Sequence, residues 1–310
     1  MARVVVVHGI GKEFLGPETM RTMLGPALED GIRLAGGPRL SERDVACAFY
    51  GDLYFEAGTR STGLDLPPWD ESDVEDGIEV ELLAAWWKQA ARVDEAVTGP
   101  HEDGTRGLVG YGTSRVLLSQ RVREALDALA GSQFFGRVSD RLLIFALKQV
   151  RRYLTEPELR EAVRGRLADE ITDETSVLVA HSLGSVVAYE ALHANPDWPV
   201  TDLVTLGSPL GLRGVVHDRL DPPPVDGVGP WPGGIRRWTN IADRGDIVAL
   251  PDTLADHFGP REGELRITDL RITNGTRMHD LTRYLTARKT GEAITKGLLD
   301  PGSSKGGEKR

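Results

Sequence analysis

Ser182 is the residue whose sequence surroundings most clearly indicate chemistry. It lies in the run Ala-His-Ser-Leu-Gly at 180–184, between a short apolar run and a segment with helical character. A serine at a tight turn from a buried strand into a helix takes a strained backbone conformation and presents its hydroxyl as a nucleophile. Such a turn needs small neighbours, which Ala180 and Gly184 supply, although the first position is more often glycine. A serine in an ordinary strand-to-helix turn gives the same pentapeptide, so the run alone leaves both interpretations open.

A second turn, His-Gly-Ile-Gly at 8–11, follows an apolar run at 4–7. The N–H of Ile10 and the N–H of Leu183, at the start of the helix, could together form an oxyanion hole. The helix dipole would add positive potential there. A phosphate-binding loop is the alternative, but the turn lacks a Gly-Lys-Ser/Thr ending and Gly-x-Gly-x-x-Gly spacing, and Lys12 is not placed as in such a loop.

Short β-branched and apolar runs alternate with helical patterns along most of the chain. The runs predict buried strands at 4–7, 45–50, 177–180, 203–206, 236–241 and 265–272. Helical patterns occupy 18–35, 183–194 and 281–287. Runs without polar alternation are typical of strands buried on both faces. The alternation therefore predicts an α/β fold with a mainly parallel sheet flanked by helices.

Residues 52–155 interrupt this alternation. A capping box at 72–75 and two apolar stripes with helical spacing predict helices there. The stripes are Val74, Ile78, Leu82, Trp86, Ala90, Val93 and Val97, and then Leu143, Leu147, Val150 and Leu154. We therefore expect a sheet domain made of 1–51 and 156–300, with 52–155 inserted as a helical cap over the sheet. The Gly-, Ser- and Lys-rich tail at 301–310 is expected to be disordered.

With these motifs the chain resembles the lipase- and esterase-like serine hydrolases of the α/β-hydrolase superfamily. That group begins with a strand and His-Gly-Ile-Gly and carries Ala-His-Ser-Leu-Gly. The resemblance covers roughly residues 3–50 and 156–290 and leaves the inserted cap unexplained. It implies the α/β-hydrolase fold and a catalytic triad in the chain order Ser, then Asp or Glu, then His.

The resemblance also implies which residues complete the triad. Asp246, in the loop after the strand at 236–241, best matches the family's acid, and Asp243 is the second match. A solvated turn carboxylate is the alternative for either. His279, after the last predicted strand, matches the base. His257 also satisfies the chain order but precedes that strand, and a merely structural histidine is the remaining alternative.

The expected function is cleavage of carboxylic esters of small molecules or lipids through an acyl-enzyme intermediate, with no metal or other cofactor. An amidase, a peptidase or an acyltransferase would use the same triad. A non-catalytic α/β-hydrolase scaffold that binds ligands is an alternative from another class. Neither the substrate nor the oligomeric state follows from the sequence.

Composition indicates which partners and which cellular location are expected for the protein. The 310 residues carry a formal net charge of −10, which argues against a nucleic-acid partner. The chain lacks an apolar run long enough for a membrane span or a signal peptide, and its single cysteine, Cys47, fits a reducing compartment. These features predict a cytoplasmic protein.

Other residues near the predicted site have simpler explanations. His8 and His181 are expected to pack and brace the loops, where they could hydrogen-bond to each other or line the pocket. A zinc pair lacks a third ligand at suitable spacing. Ser208 is expected to shape a turn, and Cys47 to be a small buried side chain.

The inserted cap contains aromatic and basic side chains. Trp69, Trp86 and Trp87 could line an acyl or aryl pocket, but packing within the fold accounts better for two of them. Five cations lie among apolar residues at 137–152. The favoured interpretation is a helix that covers the core and exposes its cations to solvent. The less favoured interpretation is a basic amphipathic helix that contacts an anionic membrane surface. Those cations are Arg137, Arg141, Lys148, Arg151 and Arg152.

Overall fold

The centre of the molecule is a parallel β-sheet. The computed structural model describes residues 2–12, 14–55, 67–100, 115–135, 139–259 and 265–300. The strands are β1 (Val4–Val7), β2 (Val45–Ala48), β3 (Val177–His181), β4 (Asp202–Leu206), β5 (Arg237–Asp243) and β6 (Thr268–Ile272). They form a six-stranded sheet in the order β2-β1-β3-β4-β5-β6, and every neighbouring pair is parallel. The predicted parallel α/β architecture is confirmed.

Helices cover both faces of the sheet. Those in the described residues are α1 (Pro17–Leu34), α2 (Ile78–Val93), α3 (Arg115–Ala130), α4 (Asp140–Thr155), α5 (Pro157–Ala168), α6 (Leu183–Ala194), α7 (Leu281–Thr286) and α8 (Arg288–Leu299). Successive strand residues point to opposite faces, so each strand contributes to both layers of core. Val4 and Val6 pack with α1, α7 and α8, whereas Val5 and Val7 pack with the layer that contains α6 and the inserted helices.

The strand order reverses at β1. From β1 the chain moves to β2 on one side, and the next strand, β3, lies on the other side of β1. The helices that follow β1 and β3, α1 and α6, therefore lie on opposite faces of the sheet. In open α/β sheets ligands bind at such a reversal. The turn at 8–11 and Ser182 both lie at this point.

The inserted segment forms helices α2, α3 and α4 in its described parts, and its apolar side chains share one core with the sheet and α6. A buried ion pair ties two of these helices together, because Glu79, fully buried on α2, accepts a 2.7 Å hydrogen bond from Arg151 on α4. Lys148 on α4 approaches the same carboxylate at 3.5 Å. A buried carboxylate needs such partners.

The predicted start of α2 is wrong. The capping box at this point pairs Asp70 with Asp73 around a short 3₁₀ turn, and α2 begins only at Ile78, after Gly77 with φ 92°. The Asp70 carboxylate accepts a hydrogen bond from the Ser72 N–H. Ser72 therefore donates to the cap residue, whereas the sequence predicted that Ser72 itself would be the N-cap. The helix also ends at Val93, which leaves Val97 beyond it.

Two predictions fall on undescribed residues. The tail at 301–310 and Arg137 lie outside the part of the chain that the structure describes. Within that part, every helix is too short or too polar to cross a membrane.

Candidate active site

Ser182 stands at a strained turn between β3 and α6. Its backbone has φ 54° and ψ −130°, and among the described residues only Asp226 shares a positive φ without being glycine. Such a conformation costs about 1–3 kcal/mol and persists only where the surroundings enforce it. The Ser182 N–H donates to Leu206 O at 3.0 Å, which fixes the turn to the end of β4.

Two glycines let the backbone come close enough for this turn. A Cβ on Gly184 would lie 2.3 Å from His8 O, and a Cβ on Gly9 would lie 2.5 Å from Ser182 Cβ and 3.0 Å from Ser182 Oγ. The turn after β1 therefore lies directly against the Ser182 side chain. The sequence predicted the need for a small residue at Gly184, but it did not indicate the close approach at Gly9.

His279 and Asp246 form the central polar pair of the site. His279 Nδ1 lies 2.7 Å from Asp246 Oδ2, and the Asp246 side chain is fully buried. A carboxylate can only accept, so Nδ1 carries the proton and Nε2 is left as a proton acceptor. Backbone N–H groups of Val248 and Ala249 donate to the other oxygen, Asp246 Oδ1, at 3.0 and 3.3 Å. These bonds fix the direction of the carboxylate.

The alternative residues have other partners. Asp243 accepts hydrogen bonds from the N–H groups of Gly245 and Asn274 and thereby shapes two loops. His257 lies beside His217, with ring centroids 5.6 Å apart, and its backbone oxygen is 3.2 Å from His217 Nε2. The histidine that contacts Asp246 is His279.

Tyr284 is a site residue that the sequence did not indicate. Its hydroxyl donates to Asp246 Oδ2 at 2.7 Å and accepts from the Asp243 N–H at 2.8 Å. Burial, with the Asp246 carboxylate beside it, raises the pKa of Tyr284 well above its ordinary value, so the hydroxyl remains a donor. A tyrosine within a short predicted helix carries no sequence signal for this role.

Gly207 was also missed, although it joins the serine to the His–Asp pair. It directly follows Leu206, which accepts the Ser182 N–H, and it has φ 54°. A Cβ here would lie 2.7 Å from Asp246 Oδ2 and 3.0 Å from His279 Nδ1. The end of β4 thus lies next to all three predicted triad residues.

The loop after β1 is held on both sides of Ile10. His8 donates from Nδ1 to Gly9 O at 2.6 Å, accepts from Tyr50 N–H at 3.2 Å, and stacks on the Tyr50 ring. Burial lowers the pKa of His8 to about 4, so it stays neutral at pH 7. Gly11 N–H donates to Gln149 on α4 at 3.3 Å. The loop that carries the Ile10 N–H is therefore braced, and Leu183 supplies the first N–H of α6, for which the helix itself has no acceptor.

His181 contacts the predicted base. Its ring centroid lies 4.4 Å from that of His279, and its side chain is buried. Burial, and then the neighbouring His279, lower the pKa of His181 well below its ordinary value. No hydrogen bond between His8 and His181 occurs, because His8 uses both ring nitrogens elsewhere. His181 is therefore a buried, neutral side chain that packs against the His279 ring.

A pocket opens beside the His279 ring. It has a volume of about 610 Å³ and is lined by segments 132–134 and 276–280. The first segment follows α3 in the insertion, and its Phe134 ring lies 6.1 Å from the His279 ring. The pocket thus joins the insertion to the loop that carries His279. Ser182 itself is only 2% exposed.

Several residues pack as the sequence suggested. Burial raises the pKa of the Cys47 thiol to about 12, so it stays protonated and is a poor nucleophile. Ser208 accepts the Leu210 N–H at 3.2 Å within a turn. Trp86 and Trp87 are buried, and Trp69 is half-buried and stacks on Phe145, with ring centroids 5.7 Å apart.

The basic residues of α4 make contacts within the chain. Lys148 donates to Asp73 O at 2.7 Å, and Arg152 donates to Glu156 at 3.0 Å and to Tyr54 O at 3.2 Å. These bonds, with the Arg151–Glu79 pair, hold the helix against neighbouring segments.

Metal-ligating side chains of the described residues form no group of three or more that could hold a metal ion. Comparisons with known protein families, with curated proteins and with solved structures found no match to this chain.

Proposed function

We propose that this chain is a serine hydrolase of the α/β-hydrolase fold that cleaves carboxylic esters through an acyl-enzyme intermediate. The observation that carries the proposal is the 2.7 Å bond between His279 Nδ1 and the buried Asp246, at the same end of β4 that accepts the N–H of Ser182, a serine at φ 54°. A base oriented by a carboxylate, beside a serine on a strained turn, is the arrangement that activates a hydroxyl for nucleophilic attack.

The fold supports the same proposal. The three residues follow the chain order Ser, Asp, His and come from the ends of β3, β5 and β6. Ser182 lies where the strand order reverses, which is where α/β sheets place their ligands. The helical insertion at 52–155 would act as the cap that limits substrate access, since its segment 132–134 lines the pocket beside His279.

In the acylation step, Ser182 Oγ attacks the ester carbonyl carbon while His279 Nε2 takes the hydroxyl proton. Asp246 stabilises the imidazolium that forms, and Tyr284 holds the carboxylate in place. The N–H groups of Ile10 and Leu183 donate to the oxyanion of the tetrahedral intermediate. The C–O bond to the leaving group then breaks, and His279 returns the proton to the departing alkoxide.

In the deacylation step, a water molecule gives a proton to His279 and attacks the acyl carbon. The second tetrahedral intermediate collapses, the Ser182 ester bond breaks, and His279 returns the proton to Ser182 Oγ. The products are a carboxylic acid and an alcohol, and the free enzyme is regenerated.

A fluorophosphonate probe tests the proposal, because it reacts only with an activated serine. We expect the folded protein to be labelled at Ser182, located by mass spectrometry of the labelled peptide, and to hydrolyse some members of a panel of esters of graded acyl length. Ser182→Ala should abolish both. Ser208→Ala, which removes a neighbouring buried serine, should still be labelled. An unlabelled but folded protein that binds an acyl ligand would instead indicate a non-catalytic binding module.

A further inference from the structure

A basic pocket lies far from the candidate active site along the strands. It has a volume of about 190 Å³ and is formed around the first residues of β5 and β6 and one face of α8. Parallel strands place all their carboxyl ends at one edge of the sheet, so this pocket is at the opposite end of β5 from Asp243. None of the residues that line it belongs to the proposed catalytic machinery.

Cations dominate the wall of this pocket. Its charged lining residues are Arg236, Arg237, Arg266, Lys289, Lys296 and Glu292. Lys289 and Lys296 are seven residues apart on α8 and so lie on one helix face, opposite the arginines of the strand ends. The one acid, Glu292, is already paired with Arg288 at 3.0 Å. In a chain of net charge −10, this local concentration of positive charge is unusual.

Two of the five cations are held in ion pairs, whereas the other three keep hydrogen-bond donors available. Arg237 is held by Asp202 and by Asp300, the latter at 2.8 Å, and Arg236 lies 3.1 Å from Asp300. In the described residues, by contrast, no carboxylate lies within 4.0 Å of the side chains of Arg266, Lys289 or Lys296. Lys289 donates one bond to Arg271 O at 2.8 Å, which leaves the other ammonium protons available.

Like charges held around one concave surface repel each other, and a bound anion removes that repulsion. We propose that this pocket binds a phosphate group, at a site separate from the proposed hydrolase centre. Lysine ammonium groups and an arginine guanidinium are the usual donors for phosphate oxygens. The pocket is far larger than the roughly 10–15 Å³ that one water needs, so a phosphate and part of its substituent fit.

Titration calorimetry with inorganic phosphate and pyrophosphate, at constant low ionic strength, tests the proposal. We expect saturable binding of one anion per chain, tighter for pyrophosphate. The double variant Lys289→Gln/Lys296→Gln should weaken binding about tenfold or more, because it removes two charged hydrogen-bond donors. The matched control Lys88→Gln/Arg43→Gln removes the same charge from exposed positions elsewhere and should bind normally.

A third variant separates this site from the proposed catalytic site. Ser182→Ala should bind phosphate as tightly as the unmodified chain, whether or not the chain is a hydrolase. Absence of saturable binding, equal weakening by both double variants, or loss of binding in Ser182→Ala would each overturn the proposal.

A second arm with vesicles that contain phosphatidic acid distinguishes the source of the phosphate. Co-sedimentation that the Lys289→Gln/Lys296→Gln variant alone loses would identify a lipid headgroup.

Discussion

Two aspartates three residues apart have different surroundings, and this difference separates their roles. Asp246 faces His279 and Tyr284, with its side chain fully buried. Asp243 accepts only hydrogen bonds from backbone N–H groups among the contacts found for its carboxylate. The first carboxylate can therefore act on an imidazole, and the second holds loop geometry.

Asp246→Asn should reduce kcat for ester hydrolysis by about 10⁴-fold, because an amide neither stabilises the imidazolium nor enforces the Nδ1–H tautomer. Asp243→Asn should lower the midpoint of thermal unfolding, since it weakens the two hydrogen bonds that the carboxylate accepts from backbone N–H groups, while kcat changes much less. Steady-state kinetics and thermal unfolding of both variants check this. If Asp243→Asn shows the larger loss of kcat, the assignment of Asp246 is wrong.

The strand-to-helix turn at Ser182 depends on how closely β1 and α6 approach. A Cβ on Gly184 would meet two backbone oxygens, His8 O at 2.3 Å and Val7 O at 2.8 Å. Val7 is the last residue of β1 and His8 follows it directly, and β1 is paired on either side, so these oxygens cannot retreat without disturbing the sheet. The position of Ser182, the proposed nucleophile, therefore depends on the packing of β1 against α6 and not on the serine alone.

Gly184→Ala should therefore destabilise the fold by about 1–3 kcal/mol, as overpacking of a core does. It should also slow fluorophosphonate labelling, because α6 must shift relative to the Ile10 loop. Urea unfolding and the labelling rate measure the two effects.

The matched control is Gly165→Ala in α5, an exposed helical position where a Cβ would meet nothing within 4 Å. This change should leave the labelling rate intact and stabilise α5 by up to about 1 kcal/mol. Equal behaviour of the two alanine variants would contradict the close contact at Gly184.

Buried neutral histidines make the folding stability of the whole protein depend on pH. Burial lowers the pKa of His8 from 6.5 to about 4. Between these values the unfolded chain binds a proton that the folded protein does not, so folding stability falls as pH falls from about 6.5 to about 4. His181 acts in the same direction, because burial also lowers its pKa.

Urea unfolding at a series of pH values should show this loss, with His8 contributing about 3 kcal/mol across the window. His8→Gln should be less stable than the unmodified chain at pH 7.5, because it loses the stacking on Tyr50. The difference between the two free energies of unfolding should shrink steadily as pH is lowered to about 4. A difference that stays constant with pH would show that His8 is not the buried neutral group described.

The apolar pattern of the sequence is sufficient to predict the parallel sheet. Continuous β-branched runs such as 4–7 and 177–180 leave no polar face, so these strands must be buried on both sides. The strands, the helix after Ser182 and the late helix at 281–287 were predicted to within a few residues. The start of α2 was not, because a positive-φ glycine and an Asp70 cap outweighed a local Ser72 pattern.

Which polar side chains contact each other could not be predicted from the sequence and depends on the packing of distant segments. The sequence offered two aspartates and two histidines for the His–Asp pair, and the approach of the loops after β5 and β6 brought Asp246 to His279. Tyr284, Gly207 and Gln149 joined the site through contacts between segments far apart in the chain. Local propensity and periodicity act over a few residues, whereas these contacts depend on strand order and loop packing, and short-range patterns do not encode them.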